Sequence, residues 1–200
     1  MTHTTHVQRT AVVTGAARGI GTVVARRLAG EGLAVGVIDL DEAECGDTVD
    51  TITGVGGAAL AVAADAVNEA AVAAPRARIA AAFGPPTVLI DNTCIGPLAG
   101  LEEMTTQQWD TVWANNSAAR SSPPDMSSIA AGDDAGRVDY ASTKATLIGI
   151  AKSCALRLAR HGVAANAIAP GFIVSVLVSP GAGSASGQVM HVAGGRWTEG

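Results

Sequence analysis

The sequence predicts an α/β fold: a doubly wound parallel sheet in a single domain. Three observations lead there. Short apolar runs at 11–13, 33–38, 58–64 and 88–90 alternate with longer segments of helical period, and strand alternating with helix means a parallel sheet. The first run stops at a cluster of glycines and the second at an acid, Asp39. The 200 residues are 48% hydrophobic and 16% charged, enough to bury a core and unlike the composition of a disordered chain.

Composition also excludes several functions. A net charge of -5 without a basic cluster gives no electrostatic basis for binding nucleic acid or an anionic membrane. Cys45, Cys94 and Cys154 are an odd set with no C-x-x-C pair, so neither a metal site nor a disulfide framework is expected, and a reducing compartment is. Residues 1–8 have no apolar core, and no apolar run approaches the roughly 20 residues that cross a bilayer. A cytoplasmic protein acting on small molecules is the expectation.

Taken in order, the run 11–13 reads as a buried strand ending at Thr14-Gly15-Ala16-Ala17-Arg18-Gly19-Ile20-Gly21. A helix follows, with Ile20, Val24 and Leu28 on one face. Glycines in such a turn let backbone approach a pyrophosphate, whose charge meets the amides at the positive end of the helix. The spacing is G-x-x-x-G-x-G, and the same glycines also serve a purely steric turn. The strand 33–38 delivers Asp39 about twenty residues further on, where a carboxylate accepts hydrogen bonds from both adenosine ribose hydroxyls and repels a 2'-phosphate. That favours NAD over NADP; the alternative is a cap on a helix beginning near Asp41.

The pattern then repeats. A helix to about Thr53, a strand 58–64 and Asp65 at its end are followed by a helix 68–83 with Pro75 in its middle. A mid-helix proline removes a hydrogen bond at a cost of about 3 kcal/mol, so a kink or break is expected. The strand 88–90 leads into Asp91-Asn92-Thr93-Cys94. Much later, Tyr140-Ala141-Ser142-Thr143-Lys144 sets the one tyrosine of the chain four residues ahead of a lysine. On a helix the two share a face, and a nearby cation lowers a phenol's pKa toward the range of a general acid/base. The helix spans 139–160, with Leu147, Ala151, Cys154 and Leu158 as its apolar stripe and a small-sided face of Ala141, Ala145 and Gly149. A strand 163–168 and a last strand 187–192 follow.

The set formed by Thr14 to Gly21, Asp39, Asp65, Asn92, Tyr140 with Lys144, and Pro170-Gly171-Phe172-Ile173 resembles, in order and wording, the short-chain dehydrogenase/reductase family. The resemblance covers about 10–195, and its wording is closest to the 3-oxoacyl-acyl-carrier-protein reductase-like members. It implies a Rossmann-type NAD(P)-binding domain with 1–9 as a flexible leader, 10–92 as the cofactor half and 93–200 as a shortened catalytic half. It also implies that Gly15, Arg18, Gly19, Ile20 and Gly21 hold the pyrophosphate, Asp39 the ribose, and Asp65 and Ala66 the border of the adenine. Asn92 then lines the nicotinamide ribose, while Pro170, Gly171, Ile173 and Ser175 grip the carboxamide. Tyr140 exchanges a proton with the substrate oxygen, Lys144 binds the nicotinamide ribose and lowers the tyrosine pKa, and a serine polarises the substrate. By motif that serine is Ser128; by distance to Tyr140 the spacing fits Ser127. Asn116 matches the family's catalytic asparagine. The small-sided face of the Tyr140 helix packs on a second subunit in the family, which implies a homo-oligomer; packing inside one chain is the other ordinary reading.

Four departures separate the chain from the family pattern. Thr93 and Cys94 stand where the family has Ala-Gly, adding side chains beside the cofactor; Cys94 reads as a partly buried small residue rather than a reactive thiol. Between Asn116 and Ser127 only ten residues must descend and return as a strand. They span at most about 35 Å, against roughly 17 to 20 Å for each limb, so the crossover is truncated and holds no helix. After Ser175, a short Ser/Gly/Pro-rich loop replaces the substrate lid, and Ala193 stands in for an acid. The first functional reading is an NAD-dependent oxidoreductase interconverting a secondary alcohol and a ketone, such as a 3-oxoacyl thioester. A second is a catalytically weak or inactive NAD-binding protein with a sensing or assembly role. A third is a chain with internal deletions that folds poorly or only with partners.

Overall fold

A computed structural model of the chain describes residues 9–65, 68–97, 100–117, 137–170 and 189–192. The chain divides into two compact units, Met1–Asn92 and Thr93–Gly200.

In the first unit, strands β1 (Thr10–Thr14), β2 (Ala34–Asp39), β3 (Ala59–Ala63) and β4 (Pro86–Ile90) alternate with helices α1 (Gly19–Gly30), α2 (Gly46–Thr53) and α3 (Glu69–Phe83). The strands form one parallel sheet in the order β3-β2-β1-β4, the doubly wound, Rossmann-type arrangement. Register explains how it is covered. Gly36 lies beside Val12 on one side and Leu60 on the other, and Val12 beside Leu89. A side chain at Gly36 would collide with the tip of Ile79 and lie 2.9 Å from its Cγ1. The missing side chain in β2 is thus what lets α3 settle onto the sheet, and Val12, Ile38, Val62 and Ile79 form a core there. Alternation turns Ala11, Val13, Val35 and Val37 to the opposite face, where they are also fully buried. A parallel sheet requires that double cover.

Three local expectations are corrected. The helix expected from near Asp41 begins instead as a 3-10 turn, Ala43–Cys45, and becomes α-helical only at Gly46. Asp41 Oδ1 accepts a hydrogen bond from the Ala43 amide at 2.8 Å, a local turn that competes with helix. Strand β3 is shorter than 58–64 at both ends. Helix α3 runs through Pro75 without a break, which removes the break, though not the kink, from that expectation; Pro75 is buried, as is Ile79 one turn later, and burying the ring offsets the single lost hydrogen bond.

In the second unit, α4 (Thr106–Asn116) packs against α5 (Val138–Leu158). A capping box starts α4: Thr105 Oγ1 accepts from the Gln108 amide and the Gln108 side chain accepts from the Thr105 amide, satisfying two donors that a helix start leaves open. Leu147 and Ala151 of the expected stripe are buried, but the stripe turns toward Thr143, Lys144 and Ala155, leaving Cys154 and Leu158 half-buried. A 3-10 turn, Ala159–His161, ends the helix at Gly162, whose φ of 71° is left-handed. Strands β5 (Ala167–Pro170) and β6 (Val189–Val192) pair in parallel. Thus the strand expected over 163–168 starts later, and the last strand is shorter than 187–192. The crossover, both candidate serines and the lid segment fall in 118–136 and 171–188, outside the described residues. Among the described residues no helix is long and apolar enough to cross a membrane.

Candidate active site

The sheet order changes direction at β1, so the carboxyl ends of β1 and β4 lie side by side, the place where open α/β sheets bind ligands. The turn leaving β1 takes left-handed backbone at Gly15 (φ 58°) and Gly19 (φ 62°), conformations that favour glycine. Gly21 meets a tighter demand. A side chain there would collide with the Gly15 carbonyl oxygen and stand 2.8 Å from Asn92 Nδ2. Asn92 itself holds the turn, its Nδ2 donating to the Gly15 oxygen at 3.0 Å and more loosely to the Thr14 oxygen at 3.3 Å. Thr14 ties in the other strand: its Oγ1 donates to Asp91 Oδ1 at 2.6 Å and accepts from the Asn92 amide at 3.0 Å. Thr22 and Thr48 both donate to the Ala16 oxygen at 3.0 Å. No side chain caps the start of α1, where Arg18 is extended, so its first amides are available to an anion.

Asp39 ends β2 beside this turn. Its Oδ2 accepts from the Ala17 amide at 3.1 Å and its Oδ1 from the Leu40 amide at 2.9 Å. A carboxylate offers about four lone-pair sites, so two remain for ribose hydroxyls after the backbone has fixed the group. The Arg18 side chain lies at the surface, 3.6 Å from Glu44, Ile20 is exposed, and Asp65 is exposed just beyond β3. Ala66 is outside the described residues. The glycine turn, open helix start and pre-set acid fit the phosphate and ribose portions of a dinucleotide.

The second unit brings Tyr140 and Lys144 together as the helical spacing requires. Lys144 is buried, with Nζ 5.6 Å from the Tyr140 ring centroid. Arg137, just before α5, places Cζ 4.9 Å from the same centroid. Asn116 is fully buried at the end of α4. Its Oδ1 accepts from the Ile95 amide at 2.8 Å, and its Nδ2 donates to the Ile95 oxygen at 2.8 Å and to Thr143 Oγ1 at 3.2 Å. Thr143 Oγ1 donates in turn to the Tyr140 carbonyl oxygen at 2.8 Å. A buried network therefore joins the 93–97 segment, α4 and the tyrosine's own turn. Cys94, expected to be partly buried, is exposed.

The short chain dehydrogenase profile matches residues 9–120 and 125–181. The chain belongs to the short-chain dehydrogenase family. It is 38% identical over 184 residues to the short-chain reductase protein NovJ of Streptomyces niveus, covering 84% of this chain and 70% of that protein. It is 34% identical to the 3-oxoacyl-(acyl-carrier-protein) reductase FabG of Staphylococcus aureus, over 84% of this chain and 75% of the relative. The human (3R)-3-hydroxyacyl-CoA dehydrogenase is also 34% identical, over 82% and 73%. A short-chain dehydrogenase/reductase from Serratia marcescens superposes with a TM-score of 0.84 at 24% identity, over 94% of this chain and 98% of that one, a likeness of fold. Short-chain dehydrogenases are oxidoreductases that act on CH-OH groups with a nicotinamide cofactor.

Of the residues expected to serve this short-chain dehydrogenase, Gly15, Gly19, Gly21, Asp39 and Asn92 come together in the first unit, and Tyr140, Lys144 and Asn116 in the second. Pro170 ends β5. Ser127, Ser128, Gly171, Ile173 and Ser175 lie outside the described residues. Sequence reading gave no individual role to Thr14, Asp91 or Arg137. Thr14 and Asp91 each follow a predicted strand and open a motif the sequence analysis singled out, and Arg137 stands three residues before Tyr140.

Proposed function

We propose that this short-chain dehydrogenase is an NAD(H)-dependent oxidoreductase interconverting a secondary alcohol and a ketone, with 3-oxoacyl or 3-hydroxyacyl thioesters as its substrate class. The observation that carries the cofactor choice is Asp39, whose two carboxylate oxygens are each fixed by a backbone amide beside the glycine turn. A fixed negative charge there accepts from two ribose hydroxyls and repels a 2'-phosphate. Support for the substrate class comes from the relatives named for 3-oxoacyl and 3-hydroxyacyl thioesters.

Gly15, Gly19, Gly21 and the first amides of α1 would hold the pyrophosphate, Asp39 the adenosine ribose, with Asp65 and Ala66 near the adenine. When bound, the nicotinamide supplies the hydride acceptor or donor. In the oxidative direction Tyr140, as phenolate, takes the hydroxyl proton of the alcohol; in reduction the phenol returns it to the carbonyl oxygen. Lys144 stabilises the phenolate, and Ser128 polarises the substrate oxygen. Asn116 fixes the turn that carries the tyrosine. A second copy of the chain is the proposed partner for the small-sided face of α5, where Ala145 and Gly149 are exposed and Leu156 is 85% exposed.

The test is thermal unfolding with NADH, with NADPH as control, followed by NADH oxidation driven by a 3-oxoacyl thioester. At a hundredfold over its dissociation constant a ligand adds about 2.7 kcal/mol. A shift with NADH and not NADPH, and turnover abolished by Tyr140→Phe, is the expected result. Equal shifts with the two nucleotides would refute the role given to Asp39, and full turnover in Tyr140→Phe would refute the acid/base role.

A further inference from the structure

We propose that Arg137 is a positioning residue for Tyr140, a second cation set on the phenol ring that favours its ionised form. The proposal rests on the reading of Tyr140 as the acid/base and deepens it. Arg137 is the residue that precedes α5, and Tyr140 and Lys144 lie four apart on the helix, so one cation reaches the ring from the helix start and the other from the next turn. The guanidinium carbon lies 4.9 Å from the ring centroid and the Lys144 nitrogen 5.6 Å from it. The Arg137 carbonyl oxygen accepts the Ala141 amide at 2.9 Å, so the start of the helix fixes where the arginine begins.

Gly96 completes the arrangement. A side chain there would stand 3.2 Å from Tyr140 Cδ2 and 3.7 Å from Arg137 Nη1. The bare backbone at Gly96 therefore leaves room for ring and guanidinium together. A cation over a neutral ring is attracted by its quadrupole, but its attraction to a phenolate is that of a full charge and much larger. The difference moves the proton off the oxygen. A guanidinium stays charged throughout the range in which a phenol titrates. Arg137 thus supplies a charge that persists across the whole titration of the tyrosine.

Among the described residues, the charged groups on the elements packed around the ring are these. Asp139 is buried one residue before Tyr140; its Oδ1 accepts the Tyr140 amide at 2.7 Å, while its Oδ2 has no hydrogen-bond partner among the described residues. When ionised it opposes the phenolate, and Arg137 and Lys144 act against it. Helix α4, packed on α5, has Asp110 as its one charged residue, and that residue is exposed. The 93–97 segment has Cys94 as its one titratable group, also exposed. Strand β5 has none.

Tyr140 is the only tyrosine of the chain, so the near-ultraviolet absorbance of phenolate reports its ionisation directly, without cofactor or substrate. The experiment titrates the purified protein, Arg137→Met and Arg137→Lys, with Tyr140→Phe as the blank. The expected result is a midpoint raised by about one pH unit or more in Arg137→Met and mostly restored in Arg137→Lys. The acid limb of the kcat/KM profile for alcohol oxidation moves up by the same amount. An unmoved midpoint in Arg137→Met, or a lysine variant no better than methionine, would overturn the proposal. If Arg137→Met does not melt cooperatively, Arg137→Gln takes its place. Full turnover in Tyr140→Phe would instead remove the acid/base reading while leaving the titration result to stand by itself.

Discussion

Replacing Gly21 by alanine tests the proposed cofactor cradle at its tightest point. The new Cβ collides with the Gly15 carbonyl oxygen, which is backbone, and sits 2.8 Å from Asn92 Nδ2. Neither neighbour is the free end of a flexible side chain, so the turn or the helix start must move. Overpacking of this kind costs about 1–3 kcal/mol. Displacing the Asn92 to Gly15 hydrogen bond adds about 0.5–1.5 kcal/mol, and the better helix propensity of alanine returns up to about 1 kcal/mol. The net is a loss of about 2 kcal/mol, which lowers Tm by about 4–8 °C in a chain of this size. Ligand response changes too. If the distorted turn binds NADH tenfold more weakly, stabilisation at a fixed concentration falls from about 2.7 to about 1.4 kcal/mol. Gly30→Ala is the control, because it lies on the same helix with nothing within 4 Å of its added Cβ; it is expected to be neutral or stabilising by a few tenths of a kcal/mol. The assay is thermal unfolding of both variants with and without NADH. An unchanged Tm and an undiminished NADH shift in Gly21→Ala would refute the reasoning.

Two further outcomes follow from the same geometry. Asn116→Ala removes both partners of the Ile95 backbone at once and is expected to cost about 2–3 kcal/mol, with Asn116→Asp, which keeps the acceptor for the Ile95 amide, falling between; urea unfolding measures both, and an alanine variant as stable as the parent would discard the network. The Cys45 thiol is pushed up to about 11 by burial first and then by Asp39 and neighbouring carboxylates. A raised folded pKa gives stability that is complete below the unfolded value and lost as pH rises through the folded one, so unfolding at pH 8 and at pH 10.5 should differ by on the order of 2 kcal/mol more in the parent than in Cys45→Ala. Equal alkaline losses in both proteins would be the contrary result.

The first unit was legible because its information is local. Glycines at fixed offsets, an acid at the end of the next strand and apolar runs of strand length each act on their own stretch of chain, and β1, α1 and β2 fall where they were expected. What escaped notice depends on register between distant strands. The need for glycine at 36 shows only once pairing sets it between Val12 and Leu60 beneath Ile79. Pro75 reads as a helix breaker because the propensity cost is local, whereas the burial that offsets it belongs to the packed sheet. Thr14 reads as the first residue of the glycine turn; only the neighbouring β4 makes it the link between Asp91 and Asn92.

Asn116 carries this contrast into the chemistry. The motif around it reads as a catalytic amide, yet both donors of its Nδ2 are spent inside the protein, one on the Ile95 oxygen and one on Thr143. Its Oδ1 already accepts the Ile95 amide, leaving a single lone pair for anything else. An amide so committed acts by holding its neighbours. It ties Ile95, one residue from the Gly96 that lies against the Tyr140 ring, to Thr143, whose hydroxyl bonds the Tyr140 carbonyl oxygen. Both ends of that tie touch the tyrosine, one through its ring and one through its backbone. A change at Asn116 would therefore reach Tyr140, the proposed acid/base, by moving it, and its effect on turnover should scale with the loss of order in the Tyr140 turn rather than with any proton the amide itself could carry.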